Sequence, residues 1–355
     1  MTSDPSRTVS LPIRPLGLLS GEAARRAVRA GVALPLAGGP LAFTLAEVPV
    51  RLETGIARRI ATPEELETMG EAAERALVAL TAPRAAWAGF APGRPLVMGV
   101  VNVTPDSFSD GGDHDDPAAA IDHGRALMAA GADILDIGGE STRPGAEPVA
   151  PEREAARVVT VIRALAAEGA VVSVDTRHAA VMRQALAAGA RIVNDVSALA
   201  HDPESLAVVA EAGCPVVLMH MRGDPRTMQR DPTYDDVALD VYEHLASRID
   251  ACRAAGIPPE RIAVDPGIGF GKTVEHNLDL LRHTALFHGL GCPVLVGVSR
   301  KRFIAALSRD EPPKERLGGS LAAGLAALDQ GAGILRVHDV AATAQAVAMW
   351  RALHG

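Results

Sequence analysis

The chain has 355 residues, a formal net charge of −8, 48% hydrophobic residues and 3% aromatics. Such a length is long for one domain and short for two large ones. The acidic balance, without a basic run, argues against a nucleic-acid or anionic-membrane partner; nothing resembles a signal peptide or an apolar span of about 18 residues, so a soluble, cytoplasmic protein is expected.

Within residues 1–90, the runs 32–37 and 41–52 flank Gly38-Gly39 and predict a hairpin. Thr62-Pro63-Glu64-Glu65 has the form of a helix start: a Thr N-cap, Pro at the first helical position and Glu at the third, closing a capping box. That helix should run to about residue 80. A linker rich in Pro, Gly and Ala follows over 82–95. No catalytic constellation precedes residue 91. Residues 1–90 therefore read as a small α+β accessory extension of unknown role, and 91–355 as the catalytic domain.

From Leu96 onward one event occurs eight times: an apolar run ends abruptly in polar or glycine-rich chain. The run 96–101 ends in Asn102 and a loop to Gly112. The run 133–137 leads into Gly138-Gly-Glu-Ser-Thr-Arg-Pro-Gly145, and 170–174 into Asp175-Thr-Arg177. The next three end in Asn194-Asp195, in His220-Met-Arg-Gly223 and in Asp265-Pro-Gly-Ile-Gly-Phe-Gly271. The last two end in Gly297-Val-Ser-Arg-Lys301 and in His338-Asp339. Stretches of helical period lie between them, at 118–130, 152–167, 178–188, 203–212 and 237–255. Eight such units over about 260 residues have the size and rhythm of a (β/α)8 barrel, whose chemistry sits at the C-terminal strand ends. Parallel strands covered on both faces read as continuous apolar runs, as these do.

The strand ends carry the candidate chemistry. Arg336 and His338 alternate along the last strand, so both point towards the barrel axis. With Asn102, Ser141, Thr142 and Arg143 they form a seat for phosphate or diphosphate. Asp175, Asn194 and Asp265 suit a flat heterocycle such as an aminopyrimidinone, whose N–H groups carboxylates accept and whose acceptors and donors an amide matches. A hydrated metal site, or simple loop capping, stays open for the same residues. Lys272, Lys301 and Lys314 are the only lysines, so arginine is the default cation, and two of the three follow strand ends. Lysine kept in such a place suggests a need for a compact point charge.

Other classes drop out. Gly267-Ile-Gly-Phe-Gly-Lys272 lacks the GxxxxGK[ST] spacing of a nucleotide phosphate loop. HExxH, paired CxxC and GxSxG patterns are absent, which removes zinc proteases and serine hydrolases. Cys214, Cys252 and Cys292 are far apart with no CxxC spacing, and the two that open predicted strands, Cys214 and Cys292, read as small buried thiols.

Taken in order, these motifs resemble the dihydropteroate synthases. Asn102-Val-Thr-Pro-Asp-Ser-Phe-Ser-Asp-Gly-Gly112 looks like their first signature and Asp136-Ile-Gly-Gly-Glu-Ser-Thr-Arg-Pro-Gly145 like their second. Ser173-Val-Asp-Thr176, Asn194-Asp195, Leu218-Met-His-Met221, Asp265-Pro-Gly267, Ser299-Arg-Lys301 and Arg336-Val-His-Asp339 fit the same family across residues 95–355. The resemblance implies a TIM barrel that condenses 6-hydroxymethyl-7,8-dihydropterin diphosphate with 4-aminobenzoate, assisted by Mg2+. It also implies a homodimer and a target of sulfonamides.

Carried over residue by residue, Asn102 matches the magnesium-linked asparagine. Asp175, Asn194, Asp265 and Lys301 match the pterin set, with Ser299 and Met219 beside them in their motifs. Thr142, Arg336 and His338 match the diphosphate and substrate contacts, with Arg143 next to Thr142. Phe108 and Pro144 match loop residues that shape the aminobenzoate site. Asp136 is expected to orient loop or pterin groups from behind them, or to be structural only. The catalytic set is therefore Asn102, Thr142, Arg143, Lys301, Arg336 and His338. No covalent nucleophile is needed. Closure of the 104–112 and 139–147 loops would exclude water.

Two departures stand out. Arg302 follows Lys301 where many members have a small residue, and the N-terminal extension lies outside the usual barrel. Competing readings are a methyltetrahydrofolate-dependent corrinoid methyltransferase, which needs no diphosphate seat, and a non-catalytic pterin-binding paralogue.

Overall fold

A computed structural model of the chain describes residues 11–104, 117–141, 146–224 and 226–355. Phe108, Thr142, Arg143 and Pro144 lie outside the described residues.

Residues 14–81 build a four-stranded antiparallel sheet with three helices. In chain order these are β1 (Arg14–Ser20), α1 (Gly21–Arg29), β2 (Leu34–Pro35), β3 (Leu41–Leu52), β4 (Gly55–Ala61), α2 (Pro63–Glu67) and α3 (Glu71–Thr81). The long β3 pairs with all three other strands. The expected hairpin exists, but its first arm shrinks to Leu34–Pro35 because Gly38 turns at φ 67 with the Pro83 backbone pressed against it. The capping box forms: Glu65 N–H donates to Thr62 Oγ1 at 3.2 Å, and Thr62 N–H to the Glu65 carboxylate at 2.8 Å. The single helix expected from residue 62 to about residue 80 does not; it stops at Glu67 and restarts at Glu71. Gly70 sits at φ 91, which ends a helix. The break lets Leu66 on one side and Leu77 and Leu80 on the other enter the same core as Phe43 and Val48.

The remaining strands are parallel: β5 (Leu96–Asn102), β6 (Ile134–Gly138), β7 (Val172–Asp175), β8 (Ile192–Asp195), β9 (Val216–Met219), β10 (Ile262–Asp265), β11 (Leu295–Val296) and β12 (Ile334–Val337). They run in the order β10-β9-β8-β7-β6-β5-β12-β11, and the Val264–Val294 bridge joins the two ends. Around this barrel lie α4 (Pro117–Ala129), α5 (Pro151–Ala167), α6 (Ala179–Ala187), α7 (Ser205–Ala212), α8 (Val237–Ala254), α9 (Val274–Arg282), α10 (Arg302–Ala306), α11 (Leu317–Asp329) and α12 (Val340–His354). The expected (β/α)8 architecture is the observed one.

Strand period explains how the barrel becomes a site. Side chains alternate between the outer helices and the barrel interior. Leu135, Val193, Leu218, Val264 and Leu335 face the main core between strands and helices. One residue away, Met98, Ile134, Ile192, Val217, Ala263, Leu295 and Ile334 form a separate apolar layer inside the floor. Two residues further along, the inward position turns polar: Ile134 gives way to Asp136, Ile192 to Asn194, Ala263 to Asp265, and Ile334 to Arg336. A dry floor therefore supports a charged mouth.

The linker closes that floor. Trp87, 3% exposed, joins the floor layer, and its indole N–H donates to the Arg261 carbonyl at 3.1 Å. Ala88-Gly89 turns the chain back so that Trp87 and Phe90 pair. Arg51 bonds Asp240 and Glu243 on α8, and Arg58 bonds Asp236 at its N-cap, fixing the extension to the barrel's outer wall. All three cysteines are free and buried, as expected of Cys214 and Cys292.

Candidate active site

The mouth holds one hydrogen-bonded chain drawn from four strands. Asp136, fully buried on β6, accepts from Asn194 Nδ2 of β8 at 3.0 Å and from Arg336 Nε of β12 at 2.6 Å, both on Oδ2. Arg336 Nη2 donates to Asp175 Oδ2 of β7 at 2.6 Å. The second Asp136 oxygen has no partner among the described residues. A buried carboxylate oxygen left this way is costly unless a ligand donor meets it.

A second group sits beside this chain. Asp265 Oδ1 accepts from Gly267 N–H at 2.7 Å. Lys301 Nζ donates to the Ile268 carbonyl and lies 4.3 Å from the centre of the Phe270 ring, a cation–π contact. Lys301 is placed by the residue before it. Arg300 adopts φ 60, a left-handed conformation that a non-glycine residue holds only under constraint. Ser320 Oγ accepts from Arg300 N–H at 2.9 Å, Arg316 donates to its carbonyl at 2.9 Å, and Asp339 grips its guanidinium at 2.6 and 3.0 Å. Ser299 Oγ accepts from His338 N–H at 3.1 Å and lies 3.1 Å from His338 Nδ1, which fixes the imidazole. Asn102 is half-buried at the end of β5, Met219 is buried at the end of β9, and Arg302 is exposed at the start of α10.

Burial sets the electrostatics. It pushes the Asp175 carboxyl up to about 7; Arg336 opposes the rise, while Asp136, Glu154 and Asp195 add to it. Burial likewise raises Asp265, against the pull of Lys301 and the Gly267 N–H bond. The Lys301 ammonium is brought down to about 8 by burial, with Asp265 holding it up. Burial also works against the Arg336 cation, but Asp136 and Asp175 outweigh it and leave the guanidinium more firmly protonated than usual. Three acids thus face one permanent cation, Arg336, and one that titrates near neutral pH, Lys301, in low dielectric, a poise typical of functional sites.

The structure therefore brings together Asp136, Asp175, Asn194, Asp265, Lys301 and Arg336, with Ser299 and His338 locked to each other. Two buried ion pairs escaped the sequence reading. Arg177 grips both Glu140 oxygens at 3.0 Å, and His178 Nδ1 lies 2.7 Å from Glu154. Arg177 lies two residues beyond Asp175, but spacing does not reveal its partner. Glu140, Glu154 and His178 bring potential metal-ligand atoms within 4.8 Å of one another. Their charge is already met without a cation: Arg177 neutralises Glu140, and His178, whose hydrogen bond to Glu154 Oε2 raises its pKa, faces the other carboxylate, of which only Oε1 is left without a partner among the described residues.

Residues 98–338 match the family described as pterin binding enzyme. The chain is 49% identical over 254 residues to the dihydropteroate synthase of Escherichia coli (strain K12), covering 71% of this chain and 89% of that protein. It is 49% identical over 263 residues to that of Neisseria meningitidis serogroup C, covering 73% and 93%. Among solved structures, Xanthomonas albilineans dihydropteroate synthase with 4-aminobenzoic acid superposes with a TM-score of 0.70 at 52% identity, over 73% of this chain and 93% of that one. The Xanthomonas albilineans enzyme in complex with 7,8-dihydropteroate gives a TM-score of 0.67 at 49% identity, over 73% and 94%. The Yersinia pestis enzyme with a sulfonamide drug gives 0.70 at 46% identity, over 73% and 94%. The chain belongs to the pterin-binding enzymes and, within them, to the dihydropteroate synthases.

Proposed function

We infer that this chain condenses 6-hydroxymethyl-7,8-dihydropterin diphosphate with 4-aminobenzoate. The carbon–oxygen bond to diphosphate breaks, the amine nitrogen bonds to the freed methylene carbon, and the nitrogen sheds a proton. Products are 7,8-dihydropteroate and diphosphate. The observation that carries the reading is the chain Asn194–Asp136–Arg336–Asp175, which sets ring-reading groups directly against an anion-binding guanidinium. Departure of a charged leaving group needs that neighbour, and a dry, preorganised site makes it effective.

Roles follow from the chemistry of each group. Asp175 and Asp265 accept from the ring N–H and exocyclic amine, Asn194 donates and accepts, and Lys301 donates to a ring acceptor. Met219 supplies apolar packing against the ring. Arg336 turns from Asp175 to the diphosphate, with His338, held by Ser299, alongside it. Thr142 and Arg143 serve the diphosphate side, and Phe108 and Pro144 the aminobenzoate side. Asp136 holds Asn194 and Arg336 in register from behind.

The family is consistent with a divalent-metal requirement, and the proposed ion is Mg2+. Asn102 offers a neutral, hard oxygen at the strand end, and Mg2+ takes few protein ligands, filling its shell from phosphate and water. When bound, the ion would neutralise charge on the leaving diphosphate.

We further propose that residues 1–90 form an accessory unit beneath a catalytic domain at 91–355. The active species is proposed to be a homodimer; exposed Leu307 and Leu317, at the end of α10 and the start of α11, favour an apolar contact there. No helix among the described residues is long and apolar enough to cross a membrane. A cytoplasmic location is proposed, with small-molecule partners and neither nucleic acid nor membrane.

The test is the release of diphosphate by the purified chain with Mg2+. Release only when both substrates are present supports condensation. Tight pterin binding without release would favour the methyltransferase or the non-catalytic paralogue.

A further inference from the structure

Lys272 is one of three lysines in the chain and the only one that is 3% exposed while lying outside the ring of site residues. Its Nζ lies 3.0 Å from His220 Nδ1, just beyond β9, 3.0 Å from the Phe270 carbonyl and 3.4 Å from the His220 carbonyl. It therefore spans two strand-end segments, 219–222 and 266–271. These are pressed together along their length. His220 N–H donates to the Asp265 carbonyl at 3.1 Å. A Cβ on Gly267 would stand 1.9 Å from the His220 carbonyl oxygen, and one on Gly271 2.5 Å from that of Arg222, so both positions accept only glycine. Tyr234 adds a hydrogen bond from its hydroxyl to the Gly271 carbonyl at 2.7 Å.

The clamped segment carries groups of the mouth. It follows directly on Asp265 and its Gly267 N–H donates to that carboxylate, its Ile268 carbonyl accepts from Lys301, and its Phe270 ring lies under the Lys301 ammonium. A shift of this loop would move both the carboxylate and the ammonium assigned to the pterin ring. Misplacement on the order of 1 Å is enough to cost binding and rate heavily.

We propose that Lys272 is a positioning residue for the pterin ring, clamping the 266–271 loop onto the end of β9 so that Asp265 and Lys301 face the ligand in register. This rests on the pterin reading of the mouth. A lysine at this depth is expensive for folding: burial drives its pKa well down, and an apolar side chain of equal length would pack without that cost. The three acceptors around Nζ account for its retention in a chain that otherwise uses arginine. The neighbouring imidazole stays neutral, since burial and then Lys272 hold His220 down to about 2, leaving Nδ1 able to accept. His244 packs edge-on against that imidazole at 4.8 Å, so the clamp has a rigid backing.

The experiment uses the full chain carrying Lys272→Met, with KM measured for each substrate and bare 6-hydroxymethylpterin titrated by calorimetry. The expected result is a rise of about tenfold in KM for the pterin diphosphate and in Kd for the bare pterin, with KM for 4-aminobenzoate within about twofold of the parent; losing two or three hydrogen bonds is worth that much. Tyr234→Phe removes one bond to the same loop and should raise the pterin KM by about threefold; this milder variant decides the matter where Lys272→Met does not fold. A fall in melting temperature with both pterin values unchanged overturns the proposal. Asp265→Ala separates the two layers of argument. Loss of pterin binding there, with Lys272→Met and Tyr234→Phe normal, removes the clamp alone, whereas normal pterin binding in Asp265→Ala removes the reading of the mouth beneath it.

Discussion

Arg336 on β12 reaches across the barrel mouth and donates to Asp175 on β7 at 2.6 Å. The two residues are assigned to different parts of the substrate, the cation to diphosphate and the carboxylate to the pterin ring. Within the mouth they satisfy each other. Each partner therefore sets the charge state of the other.

Arg336→Ala should do more than weaken the diphosphate ester. It removes the cation that opposes the rise of the Asp175 pKa, so Asp175 becomes more protonated at neutral pH. Relative to the parent at the same pH, bare pterin affinity should fall most at pH 6.5 and less at pH 8, where Asp175 is ionised in both chains, as calorimetry of parent and variant at the two pH values would read. A loss that is the same at both values would contradict the coupling.

Asp175→Ala should abolish measurable binding of the bare pterin. A charge-assisted hydrogen bond contributes about 1.5–3 kcal/mol, so each one lost costs roughly 10- to 150-fold in affinity. Unchanged affinity would mean that the ring does not sit on β7.

The pH profile of kcat/KM for the pterin substrate should be a narrow bell. Asp175, raised to about 7, must be ionised to accept from ring N–H groups, so activity falls as pH drops through that value. Lys301, lowered to about 8, must be protonated to donate, so activity falls again as pH rises past it. For stability the sign is opposite on the acid side. A buried carboxyl with a raised pKa contributes its full stability below its unfolded pKa and loses it as pH rises through the folded value. The part of the melting temperature that Asp175 supplies, read as the parent minus Asp175→Asn, should therefore decline from pH 5 to pH 7.5 while kcat/KM climbs, even though buried His220 and His288, held neutral, pull the total the other way as pH falls. Parallel pH trends in the two quantities would contradict this assignment.

Trp87→Ala tests the floor. Removing a fully packed Trp costs about 3–5 kcal/mol. Melting temperature should fall with both substrate KM values unchanged, since Trp87 lies at the closed end of the barrel, away from Asp175 and Arg336. A selective rise in either KM would mean that the extension also shapes the mouth.

The barrel was readable because its strands are buried on both faces, which writes each one as an apolar run ending in polar chain. The same period exposes the inward residues Asp136, Asn194, Asp265 and Arg336 once the strands are placed. Parts of the extension were not readable, for a local reason. β4 is exposed along nearly its whole length, so it shows no alternation, and α1 buries only Gly21 and Ala24, which give no hydrophobic stripe. The α2–α3 break depended on one glycine that periodicity passes over. Pairings across the mouth were illegible for a different reason. Arg336 and Asp175 lie 161 residues apart, and only the closed ring makes them neighbours. The rarity of lysine did mark Lys272 and Lys301, although it could not say that one faces the ligand and the other braces the loop beneath.

The most direct measurement is incubation of the purified chain with Mg2+, 6-hydroxymethyl-7,8-dihydropterin diphosphate and 4-aminobenzoate, with dihydropteroate quantified by mass. The account predicts product in molar excess over enzyme, abolished by Asp175→Ala. Absence of product, with the pterin diphosphate bound and intact, would contradict it.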